Sequence, residues 1–347
     1  MTHAEGGSAH RYTDLARPRV GPANLGRTGQ AASPNGGPVG DPESFQVLVT
    51  GGSGFIGRRT VRALLARGHA VTVADKRPFP GDDDISMVLG DLCDPAVVER
   101  AVAPGTSLII HLAAITRVLD SISDPAGTHR LNVTATAELL EQARQKKVGA
   151  FLLASTNAVT GDVGRSIIHE DIALAPLTPY GATKAAGEML LSSYSACYGI
   201  AGCALRFSNV YGPGMAEKDS FVPRLMRAAR DGHGVEIYGD GTQLRDLVHV
   251  DDIVAGLLAA WEARVTGPLI LGAGESQPVN DILDAARSVT GAPLPARHIP
   301  AKPGEMPAVI VNISRARAIG FAPRHDLKSG LATVWPEFAE AEAEVRA

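Results

Sequence analysis

Short apolar runs alternate along the chain with stretches whose apolar residues recur at helical spacing. Buried strands are predicted at 45–50, 70–74, 108–111, 150–154 and 203–207. Helices are predicted between them at 55–67, 126–146 and 178–198. Because strands that alternate with helices pair in parallel through right-handed crossovers, the pattern predicts an α/β fold with a doubly wound parallel sheet. Ligands bind such a sheet at the carboxyl ends of its strands.

Two parts of the chain depart from this pattern. Residues 1–44 lack apolar periodicity and are rich in Gly, Pro, Ser, Asn and Arg, and their four Arg are balanced by four acidic residues. This composition predicts a flexible N-terminal tail, either a dispensable extension or a partner-binding arm. After Tyr211 the segments shorten and Gly and Pro become frequent, which predicts a smaller lobe over the carboxyl edge of the sheet.

Composition argues against several kinds of partner and site. With 347 residues, 45% of them hydrophobic, the chain can bury a sizeable core, and its formal net charge of -4 predicts no binding to nucleic acid or anionic membranes. The cysteines, Cys93, Cys197 and Cys203, form no Cys-x-x-Cys pair and no cluster with His, so free thiols and no metal site are predicted. No apolar run is long enough to span a bilayer and no signal-peptide layout is present, so we predict a cytoplasmic location.

A glycine-rich turn follows the first predicted strand. The sequence T-G-G-S-G-F-I-G at 50–57 places Gly51, Gly54 and Gly57 at intervals of three. Glycine allows a tight turn and a close approach to a pyrophosphate, whose charge is met by free amides at the start of the following helix. A plain tight turn would give the same letters, but the position between a strand and a helix favours a dinucleotide site.

The second predicted strand ends in a carboxylate. Asp75 lies eighteen residues past Gly57, where a carboxylate accepts hydrogen bonds from a ribose 2′-hydroxyl and repels a 2′-phosphate, which favours NAD over NADP. The adjacent Lys76 and Arg77 could neutralise a phosphate, so NADP stays open. Asp91 in G-D-L, and the small residues of H-L-A-A at 111–114, follow later strands where adenine and ribose would pass. His111 itself is assigned no role.

Three further residues predict proton transfer at the same sheet edge. Thr156 follows the predicted strand at 150–154, at its carboxyl end, and Tyr180 and Lys184 share one face of a predicted helix. A tyrosine has an ordinary pKa of about 10, and a fixed cation beside it stabilises the phenolate, so we expect Lys184 to lower the pKa of Tyr180. Tyr-x-x-x-Lys alone also occurs as an aromatic residue near a surface lysine. The nucleotide loop on the same edge favours the catalytic interpretation.

From Phe45 to the C-terminus the chain resembles the extended short-chain dehydrogenase/reductase family, in its NAD-dependent nucleotide-sugar epimerase/dehydratase branch. The resemblance implies catalysis by Thr156, Tyr180 and Lys184, NAD as cofactor, and a homodimer through the helices at 126–146 and 178–198. It also implies a set of cofactor-binding residues. These are Gly51, Ser53, Gly54, Phe55, Ile56, Gly57, Asp75, Lys76, Asp91, Leu92, Leu112, Ala113, Ala114, Tyr180, Lys184 and Phe207.

The second half resembles the sugar-nucleotide part of the same branch. Thr156 at the reacting hydroxyl, Asn209 in R-F-S-N-V-Y-G-P, Tyr238 near the base and Arg245 at the diphosphate are the implied substrate contacts. Lys302 in K-P-G-E-M-P lies where the family often has a second phosphate-binding arginine. A lysine can neutralise a phosphate but cannot bind two of its oxygens at once as a guanidinium does. Outside this context Arg245 would be a surface ion-pair partner. The predicted domains are a Rossmann-type NAD-binding domain and a substrate lobe. The NAD-binding domain comprises residues 45–210 and a returning segment, 247–272. The substrate lobe comprises residues 211–246 and 273–347.

Departures from the family pattern narrow the reaction. Related dehydratases carry Asp-Glu after the catalytic threonine, where this chain has Asn157 and Ala158, so dehydration is disfavoured. Thr160, Ile270 and Val309 also differ from the usual residues and leave the sugar open. The leading hypothesis is a nucleotide-sugar 4-epimerase, with a UDP-sugar as substrate. The alternatives are an NAD(P)-dependent dehydrogenase or ketoreductase and, less favoured, a dehydratase or a non-catalytic regulator, against which the Tyr/Lys pair argues.

Overall fold

The computed structural model describes residues 44–81, 85–300 and 306–346. Parallel strands form the central layer of the fold. Apart from Ser44, the predicted tail lies outside the described residues. The strands are β1 (Gln46–Thr50), β2 (Ala70–Asp75), β3 (Ser86–Leu89), β4 (Leu108–His111), β5 (Ala150–Thr156), β6 (Ile167–Ile168), β7 (Ala201–Phe207), β8 (Asn209–Tyr211), β9 (Val235–Tyr238), β10 (Leu244–His249), β11 (Gly267–Leu271), β12 (Ser276–Pro278), β13 (Ala296–Ile299) and β14 (Ile310–Val311).

The central sheet has seven strands in the order β11-β7-β5-β4-β1-β2-β3. Every pairing in it is parallel, with Val47 opposite both Val71 and Leu108, so each return of the chain requires a crossover. The order runs outward from β1 in both directions, which is the doubly wound arrangement. The predicted α/β fold class is therefore confirmed.

Helices supply the crossovers and the smaller lobe. They are α1 (Phe55–Leu65), α2 (Pro95–Ala101), α3 (Val118–Ser123), α4 (Pro125–His129), α5 (Ala135–Gln145), α6 (Pro179–Tyr198), α7 (Phe221–Asp231), α8 (Val250–Glu262), α9 (Val279–Thr290), α10 (Ser314–Ala318) and α11 (Leu327–Arg346). None of the described helices is both long and apolar enough to cross a lipid bilayer.

The helix predicted at 126–146 is found, with one irregularity that the sequence did not predict. A π-helical turn, Arg130–Thr134, separates α4 from α5. It contains the buried Asn132, whose side chain bonds the amide and carbonyl of Ile115, both at 2.9 Å, and the hydroxyl of Thr183 at 3.1 Å. Such turns widen a helix locally and are frequent at functional sites. The apolar periodicity carries no signal for this polar tether.

Alternate residues of the central strands pack on opposite faces of the sheet. Val47 and Val49 of β1 join a buried cluster with α1 and α8, whereas Leu48 joins a second cluster with α2, α5 and α6. Since burying one such side chain stabilises the fold by roughly 1.5–3 kcal/mol, the two clusters hold the helices on both faces and fix the strand ends that carry the site.

A third buried cluster builds the smaller lobe from α7, α9 and α11, with Leu225, Leu283 and Phe338 among its members. Two small sheets accompany it, β12-β10-β8 and β13-β9. Between these segments, α8 packs against α1 and β11 adds to the edge of the central sheet. Residues 42–347 fall in one compact unit. The division into two domains stays a prediction.

One group of side chains in the described ranges has metal-ligand composition. Ligand atoms of His249, Asp251 and His325 lie within 4.8 Å of one another. Each of the first two has a protein partner: the His249 ring accepts the amide of Asp251 at 3.2 Å, and the Asp251 carboxylate pairs with Arg59 at 2.6 Å. The rings of His249 and His325 are stacked with their centroids 3.9 Å apart. The cluster therefore joins the start of α8 to the segment before α11.

Candidate active site

The glycine-rich turn brings the start of α1 against the end of β1. Gly51 has φ +70°, and a Cβ there would lie 2.7 Å from the backbone nitrogen of Ala113. A Cβ on Gly57 would lie 2.1 Å from the carbonyl oxygen of Gly51. Both positions therefore require glycine. Gly54 precedes α1 and brings no side chain over the amides of Phe55 and its neighbours, so the turn fits a pyrophosphate.

Asp75 is held at the end of β2 by the same turn. Its carboxylate accepts the backbone amides of Ser53 and Arg77, each at 3.0 Å. Lys76, left open above as a cation for a 2′-phosphate, forms an ion pair with Asp91 at 2.9 Å. A carboxylate at the ribose position with the adjacent lysine engaged is the arrangement that suits NAD rather than NADP.

A cleft of about 1500 Å³ runs along the carboxyl edge of the sheet, past the ends of β1, β4 and β5. Most predicted site residues line it. They are Gly51, Gly54, Phe55, Ile56, Gly57, Asp75, Lys76, Leu92, Leu112, Ala113, Ala114, Thr156, Tyr180, Lys184, Phe207, Asn209, Tyr238 and Arg245.

Three predicted residues do not line the cleft or cannot be placed. The hydroxyl of Ser53 donates to the carbonyl of Arg77 at 2.9 Å, so Ser53 shapes the turn from behind. Asp91 accepts the amide of Cys93 at 2.9 Å, and its neighbours Gly90 and Leu92 line the cleft instead. Ser53 was implied by the family resemblance and Asp91 also by its place after a strand, and neither kind of signal reveals which way a side chain turns. Lys302 lies outside the described residues.

Thr156, Tyr180 and Lys184 meet where β5 ends and α6 begins. Thr178 caps α6 by accepting the amide of Gly181 at 3.2 Å, and the amide of Tyr180 donates to Ser121 Oγ at 3.1 Å, which fixes the first turn. Thr156 and Tyr180 both line the cleft at this point, and the nearby Thr156 hydroxyl acts to lower the pKa of the Tyr180 phenol. Thr156 can therefore orient a substrate hydroxyl towards the same phenol.

The expected lowering of the Tyr180 pKa is not found in the protein alone. Burial raises the pKa of Tyr180, and the hydrogen bond from Thr156 offsets only part of that shift. Lys184 is buried, and its ammonium donates to the carbonyl of Ala154 at 2.9 Å. The expectation was wrong because the sequence does not show that both groups leave water, which disfavours the charged form of each.

His111, to which no role was assigned, lies beneath this group. Its ring bridges the hydroxyls of Thr50 at 2.6 Å and Thr136 at 2.9 Å. Burial lowers the pKa of His111 to about 3, with a further contribution from the Lys184 charge. The ring is therefore neutral at pH 7. It links β4 to β1 and α5, and it adds no second positive charge beside the Lys184 ammonium.

We expect activity to fall as the pH rises through about 8. Burial lowers the pKa of Lys184 from 10.5 to about 8, so the cation is present below that pH and is lost above it. We propose that this cation stabilises the Tyr180 phenolate once substrate and NAD are bound, so its loss would slow proton transfer. The check is the pH dependence of kcat/KM, with Lys184→Arg as the matched variant, because a guanidinium keeps its proton throughout this range. An unchanged alkaline limb in Lys184→Arg would assign it to another group.

A buried ion pair behind the site was missed by sequence reasoning. Arg206 of β7 binds the Glu188 carboxylate of α6 in a fork, with contacts of 2.8–3.2 Å, and donates to the carbonyl of Glu170 at 3.0 Å. Ser155, next to Thr156, donates to the same carboxylate. The network therefore joins the end of β5 to the helix that carries Tyr180. An arginine within the apolar run of β7 was the available signal.

The predicted substrate residues lie on the far side of the cleft. Asn209 donates from its amide to the carbonyl of Asp246 at 3.0 Å, which fixes its side chain at the start of β8. Arg245 donates to the carbonyls of Leu244 at 2.9 Å and Met306 at 3.0 Å. These bonds hold the guanidinium of Arg245, which lies on β10 and lines the cleft.

Charged residues at the cleft mouth were also missed. Arg117 and Arg224 both bind Asp219, at 2.7 and 2.5 Å, which links the loop after β4 to α7. The Lys218 ammonium lies 5.2 Å from the ring centre of Phe55, the first residue of α1, and burial lowers its pKa. Arg117 and Asp219 lie 102 residues apart, and a pair so distant leaves no signal in a single sequence.

Comparison with known proteins agrees with this geometry. The model of the NAD dependent epimerase/dehydratase family matches residues 47–271. A dTDP-glucose 4,6-dehydratase of Streptomyces griseus is 34% identical over 306 residues, which cover 82% of this chain and 92% of that protein. A UDP-glucose 4-epimerase of Corynebacterium glutamicum is 29% identical over 317 residues, which cover 84% and 95%.

Among solved structures, the UDP-glucose 4-epimerase of Thermotoga maritima with UDP-glucose superposes with a TM-score of 0.82. It is 28% identical and the match covers 86% of this chain and all of that one. The similarity therefore extends over both the nucleotide-binding sheet and the smaller lobe.

Proposed function

This chain belongs to the NAD dependent epimerase/dehydratase family, and we propose that it catalyses the 4-epimerisation of a nucleotide-diphosphate sugar, with a UDP-sugar as the leading candidate. The observation that carries the proposal is the meeting of Thr156, Tyr180 and Lys184 in one cleft with a glycine-rich turn on its other side. The carboxylate of Asp75 and the amides at the start of α1 would hold NAD at its ribose and pyrophosphate.

The chemistry that NAD supplies when bound is reversible hydride acceptance from C4 of the sugar. Thr156 holds the 4-hydroxyl by a hydrogen bond, and Tyr180 takes its proton. With NAD and sugar filling the cleft, the ammonium of Lys184 would stabilise the resulting phenolate, which burial disfavours in the protein alone. The sugar is then a 4-ketone that turns within the cleft and presents its other face. Return to that face of the hydride that NAD would hold, together with the proton given back to the oxygen by Tyr180, would complete the inversion without net oxidation.

Asn157 and Ala158 favour epimerisation over dehydration. Both line the cleft directly after Thr156. Elimination of water requires an acid and a base beside the sugar, and neither residue has an ionisable group. The similarity to a dehydratase therefore supports the shared oxidation at C4 rather than the elimination step.

The experiment that tests this function uses the purified protein with UDP-glucose, UDP-glucuronate and UDP-N-acetylglucosamine, with and without added NAD, followed by NMR of the sugars. We expect interconversion of C4 epimers of at least one sugar without accumulation of NADH, and a bound nicotinamide in the ultraviolet spectrum. NADH formed in proportion to product would instead establish a dehydrogenase.

We also propose a homodimer through the outer face of α6. Met189 is 66% exposed on this helix, whereas Leu191 is buried in the core, so an apolar surface remains free on one face of α6. In α3, Leu119 and Ile122 are each 57% exposed. Light scattering should give twice the mass of the chain. A monomer at micromolar concentration would contradict the proposal.

A further inference from the structure

The carboxamide of Asn157 is buried without a partner. Asn157 is 5% exposed, and among the buried side chains of the described residues its Nδ2 and Oδ1 are the atoms that lack a hydrogen bond. Leaving such atoms unpaired is costly, and nearly all buried polar groups in folded proteins have a partner. An amide left unpaired beside a cleft could bond a ligand there once its side chain turns towards the cleft.

The backbone around Asn157 is fixed, so the unpaired amide is not the result of a loose loop. Asn157 begins a short 3-10 helix in which its carbonyl accepts the hydroxyl of Thr160 at 2.8 Å. The amide of Ala158 donates to Thr156 Oγ1 at 3.2 Å. The start of α6 packs so closely on this turn that a Cβ at Gly181 would lie 2.7 Å from the Ala158 carbonyl.

Position then decides what the amide could contact. Asn157 lines the cleft between Thr156 and Ala158, and Gly181 follows Tyr180 directly. A group beside Asn157 is therefore one residue away from the pair that binds the reacting hydroxyl. A carboxamide offers a donor and an acceptor and no charge, which matches a sugar hydroxyl.

We propose that Asn157 determines sugar specificity through its carboxamide, which binds a hydroxyl near C4: either the one on C3 or the one on C6. This inference rests on the proposed function, because it assigns a contact to the sugar that Thr156 and Tyr180 bind. Asn157 positions the sugar and takes no proton. The resulting preference is for substrates that carry the contacted hydroxyl.

The test compares wild type with Asn157→Leu, which keeps the size of the side chain and removes its polar atoms. The substrates are UDP-glucose, UDP-xylose, which lacks C6, and UDP-3-deoxyglucose. For UDP-glucose, kcat/KM should fall about tenfold or more in the variant. For the analogue that lacks the contacted hydroxyl it should change less than about twofold. If Asn157→Leu leaves kcat/KM for UDP-xylose almost unchanged, the contacted hydroxyl is at C6. If it leaves kcat/KM for UDP-3-deoxyglucose almost unchanged, the contacted hydroxyl is at C3. Equal losses for all three sugars, or none, would overturn the proposal.

Thermal unfolding separates this role from a structural one. Because the amide has no protein partner, Asn157→Leu should leave Tm unchanged or raise it. Asn132→Leu is the matched control, since its buried amide has three partners and its loss should lower Tm. A drop of more than about 3 °C in Asn157→Leu would show a structural bond and overturn the proposal. Wild type that converts no nucleotide sugar would count against the proposed function, whereas active wild type with an unselective variant would count against this inference alone.

Discussion

Replacement of Tyr180 by phenylalanine is expected to lower kcat about a thousandfold while the protein folds and binds NAD as before. The ring and the backbone bond to Ser121 remain, so only the proton-transfer group is removed. The measurement is the rate of C4 interconversion, together with the amount of nicotinamide that the purified variant retains.

The matched control for this variant is Tyr194→Phe. Tyr194 lies on the same helix, and its hydroxyl bonds Glu141 at 3.2 Å outside the cleft. That change should leave kcat within about twofold of wild type because no catalytic contact is lost. Activity within tenfold of wild type in Tyr180→Phe would contradict the assigned role.

Breaking the ion pair behind the site should have the largest effect on stability. Arg206→Met leaves the Glu188 carboxylate buried without its guanidinium, which is expected to lower the free energy of unfolding by about 3–5 kcal/mol. Urea denaturation measures the loss.

The double variant with Glu188→Leu tests the cause. It removes the stranded charge and should recover most of the stability, since an apolar pair of similar volume is often as stable as a buried ion pair. If the double variant is no more stable than Arg206→Met, the loss comes from packing or from the bond to Glu170 rather than from the unpaired carboxylate.

Local patterns carried most of the fold prediction. Strand and helix periodicity, the glycine spacing before α1 and the carboxylate at the end of β2 are all properties of short segments, and the predicted α/β sheet is confirmed. The π-helical turn around Asn132 was not predicted, because the side chain of Asn132 bonds Ile115 and Thr183, which are distant in sequence.

Candidate site residues were harder to predict where environment rather than identity decides their behaviour. Lys184 and Tyr180 were expected to be a cation and an easily ionised phenol, but burial lowers the pKa of the first and raises that of the second. Asp91, predicted to bind the cofactor, forms an ion pair with Lys76 and does not line the cleft. The unpaired amide of Asn157 could be found only once its neighbours were placed. The flexible tail, the phosphate contact of Lys302 and the cytoplasmic location stay predictions.

The central claim is inversion at C4 through a ketone, and a deuterium label tests it most directly. UDP-glucose carrying deuterium at C4 is incubated with the protein in ordinary water, and the product is read by NMR. We expect the opposite C4 epimer with its deuterium still at C4, since the hydride taken from C4 would return to C4 and only the proton taken by Tyr180 exchanges with water. A 4-keto-6-deoxy sugar, the product of elimination, would contradict the account.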